Sequence, residues 1–359
     1  MSKRLVMNLV GLGTYLIPQV IFKTSFDKAL SNLKNKNSKE LEELKNRLSF
    51  YNNINDYFSL NLDEITFKHK LRRARNVGTL QLKSGLLKDT SYSYDFYKYS
   101  KYFPQNLIAK RDFGDCTQDL KYTITKSRPI GADNVIMKLD ANRHFDFISD
   151  GIDFNQKYDK CVFRGACYQE NRIRFLKKYF KHDLVNAADT GNRKDLANYQ
   201  IGYLSKKEQL KYKFIVSLEG NDVATNLKWI MASNSIALSP RLRYETWFME
   251  SKLIENEHFI LLDDDFSNLL DVIDNLKSNE KLSKQIIKNA NEYVSVFFDK
   301  ENEKILNILV LAKYFYFSNQ MNFDDYLLDL FCNKLSINTK NEKLSTFISI
   351  SPKSFVEVV

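Results

Sequence analysis

Cysteine and histidine each occur only four times in 359 residues. Cys116, Cys161, Cys167 and Cys332 form no CxxC pair and the histidines are scattered, so a Cys/His zinc site has no support. The pattern fits reduced, buried thiols in a cytoplasmic protein. Proline (5) and glycine (11) are too sparse for long flexible linkers. No internal repeat and no nucleic-acid-binding module is present. Gly11-Leu12-Gly13 lacks the third glycine of a dinucleotide fingerprint, because Leu16 stands there. The apolar run 5–22 is broken by Asn8, Thr14, Pro18 and Gln19, short of the ~20 apolar residues of a spanning helix. It shows no small-residue cleavage site, and a core or membrane-surface helix is expected there.

Charge of one sign is in excess. Lysine and arginine number 54 against 44 acids, a net charge of +10. This suits a polyanionic partner: nucleic acid, acidic lipid, or a phosphorylated glycan or nucleotide. A composition 43% hydrophobic and 27% charged is globular, and the length favours two domains.

Residues 38–48 predict an amphipathic helix with Ser38 as N-cap and Leu41, Leu44 and Leu48 on one face. The basic run 68–76 is either a solvated helix face or a phosphate contact. The aromatic run 92–104 is expected to pack on the core with hydroxyls at its rim. Strands are expected at 122–130, 134–140, 160–166 and 258–266, a helix from Gln169 to Phe180, and a long helical region at 282–319. Strands alternating with helices imply a parallel sheet covered on both faces.

"SLEGNDVATNLKWIMASNSIALSP" (217–240) carries the sharpest signal. An apolar strand ends at Leu218, a polar turn Glu219-Gly220-Asn221-Asp222 follows, and a helix is expected over Val223–Met231. In a parallel sheet that turn lies where ligands bind, and a helix N-terminus favours an anion. Thr225 and Asn226 can donate hydrogen bonds there and Lys228 can add charge. Arg164 and Gly165 repeat the pattern one strand earlier, so two such turns point to a diphosphate site. An ordinary turn with an N-cap also explains each turn singly.

"FRGACYQENRIRF" (163–175), residues 210–240, "YETWFMESKLIENEHFILLDDDFSNL" (244–269) and "IIKNANEYV" (286–294) together resemble glycosyltransferase family 90, most of all its bacterial lipopolysaccharide branch. Residues 113–130 and "LDANRHF" (139–145) are similar to that branch as well. The resemblance implies an α/β fold of GT-B type, with two Rossmann-like domains facing across a cleft. Residues 1–158 would hold the acceptor and the catalytic base. Residues 159–322 would bind the nucleotide-sugar, and 323–359 would be an extension. It implies inverting transfer from a UDP-sugar, which is a substrate, with neither cofactor nor metal. Arg164, Thr225, Asn226 and Lys228 would face the donor diphosphate, joined by Arg172, and Glu245 would contact the ribose or sugar; Gly165, Gly220, Asn221 and Asp222 complete the expected donor-binding set. Lys126, Ser127, Arg128, Arg143 and His144 would lie on the acceptor side.

An inverting displacement needs a base for the acceptor hydroxyl. Asp112 and Asp115 are the two candidates, and Asp115 is preferred. Asp140 and His144 are outside candidates. Asp263-Asp264-Asp265 mimics a metal-binding DxD motif but is expected to be a strand end before a helix capped by Asp265 or Ser267. The expected partners are a UDP-sugar, a lipid-linked glycan and the inner face of the cytoplasmic membrane, where the chain would be peripheral; nucleic acid is not expected. The alternative is a non-catalytic protein that binds a polyanion, either nucleic acid or membrane.

Overall fold

A computed structural model of the chain describes residues 31–60, 73–76, 90–104 and 106–332, with isolated helical positions between residues 6 and 28. Most of the 5–22 run, residues 68–72 and the tail from 333 onward lie outside the described residues. Among the described residues no helix is long and apolar enough to cross a membrane.

Helix α1 (Ser38–Tyr51) is capped by Asn37. Its side chain accepts from Glu40 N at 3.0 Å while Glu40 accepts from Asn37 N at 2.9 Å. This reciprocal box needs an acidic residue three positions after the cap, so Asn37 rather than the expected Ser38 takes the role. Strand β1 (Arg73–Asn76) follows, so the described part of the basic run is extended rather than helical. Helix α2 (Thr90–Ser100) carries the aromatic run, and Phe96, Tyr97, Tyr99 and Phe103 are buried as expected. Then come β2 (Ile108–Asp112), β3 (Ile124–Thr125), β4 (Ser127–Pro129) and β5 (Val135–Ile136). The expected single strand 122–130 breaks at Lys126, and its two pieces join different sheets.

The short helix α3 (Ala141–His144) leads into β6 (Tyr158–Gly165), α4 (Glu170–Tyr179), β7 (Val185–Asp189), α5 (Lys206–Gln209), β8 (Tyr212–Val216), α6 (Asn226–Met231) and β9 (Ile236–Ser239). Strands β10 (Tyr244–Thr246) and β11 (Ile260–Leu261) precede α7 (Leu269–Ser278), α8 (Glu280–Ser295), α9 (Lys300–Phe317) and α10 (Asp325–Phe331). The long helical region is two helices, because Asp299 caps a fresh start by accepting from Glu301 N and Asn302 N. Helix α7 begins later than a cap at Asp265 or Ser267 would set it, with Asn268 at its N-cap.

One sheet has the order β1-β2-β3-β5, with β1 antiparallel and the others parallel. The other is wholly parallel in the order β7-β6-β8-β9-β11. Both faces of this second sheet are covered, as a parallel sheet requires. Phe163, Phe214 and Leu238 pack under α4 and α7, while Val162, Ile215 and Ala237 face the core that includes α6 and α8. Strand β4 pairs antiparallel with β10, tying residues 127–129 to 244–246. Helix α9 is apolar nearly all round and packs against α1 and α2. Its Glu303 is held by Arg47, by Lys138 at 2.6 Å and by Trp247 Nε1 at 2.7 Å. Trp247 stacks on Tyr51 with ring centroids 3.7 Å apart.

Candidate active site

In the second sheet the chain runs from β6 outward to β7, then returns past β6 to β8. The strand order therefore reverses between β6 and β8, and such a reversal opens a ligand crevice beyond the carboxyl ends of those strands. The turns that border it are the two the sequence singled out, Arg164-Gly165-Ala166 and Leu218–Asp222. Helix α4 starts at this crevice, and Arg172 in its first turn bridges the two turns. Its guanidinium donates to Ala166 O at 3.1 Å and to Leu218 O at 2.7 and 3.2 Å. A Cβ at Gly220 would stand 3.1 Å from Arg172 Nη2, so a side chain there would crowd the guanidinium. Gly165 is equally tight, with Phe163 Cζ 3.0 Å from such a Cβ. Asp189, at the end of β7, accepts from Cys167 N at 2.8 Å and Gly191 N at 2.9 Å, holding the first turn in place.

Arg164 and Lys228 do not join Arg172, contrary to the expected pair of cations at the strand ends. Arg164 lies on the same strand face as Val162 and donates to Phe163 O, Asn186 O, Asn186 Oδ1 and Gly202 O at 2.8–3.1 Å. Lys228 is fully buried, with its ammonium 2.6 Å from Glu250 Oε1. Helix α6 begins only at Asn226, so Lys228 falls on its inward face. Asn226 closes the end of β8, donating to Val216 O and accepting from Ser217 Oγ. Thr225 is the N-cap of α6 without a side-chain capping bond. Glu245 is also turned inward. It is 2% exposed and meets Arg128 Nε at 2.6 Å and Ser251 Oγ. Arg128 in turn donates to Asn134 O and Phe50 O, so this expected acceptor-side arginine is part of the β4–β10 joint.

The two aspartates after β2 are distinct. Asp112 is buried, and its Oδ1 accepts from Gly114 N at 3.4 Å within its own turn. The Asp115 side chain is 38% exposed. Its Oδ1 meets Lys126 Nζ at 2.8 Å, and its Oδ2 accepts from Asn221 Nδ2 at 3.1 Å. Lys126 also meets Asp222 Oδ2 at 2.8 Å, and Ser127 Oγ donates to Asp222 at 2.6 Å. The kink between β3 and β4 thus turns Lys126 and Ser127 onto the turn after β8. Asn221 and Asp222 thus reach side chains of the other sheet's loops. Gln169, absent from the sequence-derived set, donates to Asn221 Oδ1 at 2.8 Å and links both turns. Its place just before α4 was the available signal.

The charges around Asp115 set its state. Burial pushes its carboxyl up, but Lys126, the bond from Asn221 and Arg143 together hold it below the ordinary carboxylate range. Burial opposes the Lys126 charge, yet Asp222, Tyr92 and Asp115 outweigh it and push the ammonium up. Arg143 pairs with Asp140 at 2.7 Å and donates to Tyr92 Oη at 3.2 Å. His144 is buried, and neither ring nitrogen has a hydrogen-bond partner among the described residues. Burial and then the nearby Lys228, Lys126 and Arg143 charges push it well below the ordinary range, so it is neutral.

This arrangement offers an anion a crevice with a guanidinium and a helix start, and sets an ionised carboxylate against the turn that borders it. The family described as Glycosyl transferase family 90 matches residues 136–314. A protein from Dichelobacter nodosus described as O-glucosyltransferase LpsA is 42% identical over 232 residues, which are 64% of this chain and 73% of that protein. The chain belongs to glycosyltransferase family 90. It is therefore a glycosyltransferase, and not the non-catalytic polyanion binder that its charge alone also allowed. Within this family 90 chain, the matched stretch contains β6 to α4, the turn after β8 and most of α9; Asp112, Asp115 and Lys126 precede it. Among solved structures, the C-terminal domain of a glycosyl transferase group 1 family protein (LpcC) from Francisella tularensis aligns with 42% of the chain and all of that domain, at 16% identity and a TM-score of 0.28.

Proposed function

We propose that this glycosyltransferase moves a hexose from a UDP-sugar, with inversion, onto a lipid-linked glycan of the lipopolysaccharide class. Glucose is the first sugar to try, because the Dichelobacter relative is described as an O-glucosyltransferase. The observation that carries the reading is the reversal of strand order between β6 and β8, where Arg172 bridges the two strand-end turns and Asp115 is bonded to the second of them through Asn221. The two sheets, joined by the β4–β10 pair, would be the cores of two GT-B domains facing across the site.

The diphosphate would lie at the start of α4, against Arg172 and the turn at Gly220–Asp222, whose Gly220 amide is already given to Asp222 O at 2.9 Å. The acceptor hydroxyl would approach Asp115. Its oxygen forms a bond to the anomeric carbon while the bond from that carbon to the β-phosphate oxygen breaks. The electron pair leaves with UDP and the hydroxyl proton passes to Asp115. Arg172 and the amides at the helix start stabilise the charge on departing UDP, with no metal required. Arg143 and Tyr92 would border the acceptor. The excess positive charge supports a place on an anionic membrane surface.

The test is calorimetry with UDP beside turnover with UDP-glucose and other UDP-sugars on a truncated lipooligosaccharide. Asp115→Asn should bind UDP as the parent does and lose about 10²–10⁴-fold in kcat. Asp112→Asn should be mild. Undiminished turnover in Asp115→Asn removes Asp115 as base, and absence of UDP binding removes the donor assignment.

A further inference from the structure

Asp115 is joined twice to the turn that borders the donor crevice. Its Oδ1 meets Lys126, whose ammonium is shared at 2.8 Å with Asp222. Its Oδ2 is occupied by the side-chain amide of Asn221, the residue just before Asp222. The two joints differ in kind. The Lys126 and Asp222 side chains are 2% and 7% exposed, and Ser127 and Cys116 N continue the network behind them. Asn221 is exposed, and its bond to Asp115 is longer, at 3.1 Å against 2.8 Å. The other end of the Asn221 amide is held by Gln169, which lies across the crevice. A ligand entering between β6 and β8 therefore meets Gln169 and Asn221, whereas Lys126 and Asp222 are out of its reach. An incoming hydroxyl needs one oxygen of Asp115, and the exposed amide is the partner that can be exchanged at low cost.

We propose that Lys126 is a positioning residue that fixes one oxygen of Asp115 to the donor-side turn, and that Asn221 covers the other oxygen until a donor occupies the crevice. This rests on Asp115 being the base and on the crevice being the donor site. The donor then binds first. Its phosphates draw Gln169 and Asn221 away, and the acceptor hydroxyl finds Asp115 ionised, oriented and uncovered. The charged and titratable groups around Asp115 are Lys126, Asp222 and Arg143, with Tyr92 and Asp140 beyond them. None of these has to change its own charge for the exchange.

The experiment follows the Asp115 carboxyl by carbon-13 NMR in the full chain, with the signal assigned through its loss in Asp115→Asn. In the parent, saturating UDP should move the Asp115 titration to higher pH, because one stabilising hydrogen bond is withdrawn. In Asn221→Ala the UDP-free titration should already be raised, and UDP should move it less than in the parent, by the Coulomb effect of its phosphates alone. Lys126→Met should raise it with and without UDP and lower kcat at unchanged UDP affinity, and Lys126→Arg should restore part of both. If Lys126→Met does not fold, Lys126→Met/Asp222→Asn removes the cation without leaving a buried lone carboxylate, and a smaller rise is expected because the Asp222 anion goes with it. An Asp115 signal indifferent to UDP, in protein that calorimetry shows to bind UDP, overturns the cover. A titration unchanged by the double substitution overturns the positioning role. Normal turnover in Asp115→Asn would instead end the base assignment, while the NMR result still decides the coupling.

Discussion

Lys228 tests the structure against the plainest expectation from the sequence, a lysine in a helix after a phosphate turn. Its ammonium is 0% exposed, 2.6 Å from Glu250 Oε1 and 5.2 Å from the Phe248 ring. Lys228→Met keeps most of the side-chain volume and leaves Glu250 buried without its counter-charge. Removing one member of such a pair costs about 3–5 kcal/mol. Glu250 keeps bonds from Thr246 N at 2.6 Å and Thr246 Oγ1 at 2.9 Å, so the low end, about 3 kcal/mol, is expected here. With an unfolding entropy of about 2.1 cal/mol/K per residue, a chain of this size should lose about 4 °C in Tm. UDP affinity of the folded variant should match the parent. Adding Glu250→Gln should recover most of the loss, because a neutral pair no longer buries a charge. Thermal unfolding and calorimetry on the two variants decide the matter. A Lys228→Met protein with the parent's Tm and at least tenfold weaker UDP binding, about 1.4 kcal/mol, would refute the reasoning and put Lys228 at the donor.

Three further outcomes are expected. Arg172→Ala should weaken UDP binding by about 1.5–3 kcal/mol, the range for a hydrogen bond to a charged group, and Arg172→Lys should recover only part of it; undiminished affinity by calorimetry would remove Arg172 from the donor site. Asp95 is pushed up to about 6 by burial, despite accepting from Ala141 N. Its stabilising contribution is therefore present below the unfolded carboxylate value near 4 and is lost as pH rises through about 6. Asp95→Asn should thus raise the urea midpoint more at pH 8 than at pH 5, and an equal or larger gain at pH 5 would show that the aspartate is not held neutral. The chain should float with anionic vesicles and be partly released by salt, since each basic residue near such a surface contributes about 1 kcal/mol and salt screens that term; indifference to vesicles would remove the membrane assignment.

Local pattern was enough for the parallel sheet. The apolar runs ending at Gly165 and Leu218 are too short for helices and are followed by polar turns and helical spacing, so β6, β8 and the crevice turns were legible. So was the first turn of α4, which places Arg172. Strand alternation was legible too and put Arg164, next to the strand's end, on the face of Val162, where its guanidinium turns to Asn186 and Gly202.

Three things were decided only in the folded chain. The 122–130 run has one continuous pattern, yet it breaks at Lys126 because Ile124–Thr125 finds partners in β2 and β5 while Ser127–Pro129 finds Tyr244–Thr246, more than a hundred residues on. Lys228 and Glu245 carry charges that a sequence assigns to solvent or ligand. Burial becomes affordable only because Glu250 and Arg128 arrive at 2.6 Å from other elements. The difference between Asp112 and Asp115, three residues apart, is likewise tertiary. Asp112 folds back on its own turn, while Asp115 meets a lysine and an asparagine that the chain supplies from β3's end and from the second sheet. Local sequence fixes periodicity and turn chemistry, but the environment of a charge depends on which distant groups surround it, and only the packed fold brings them together.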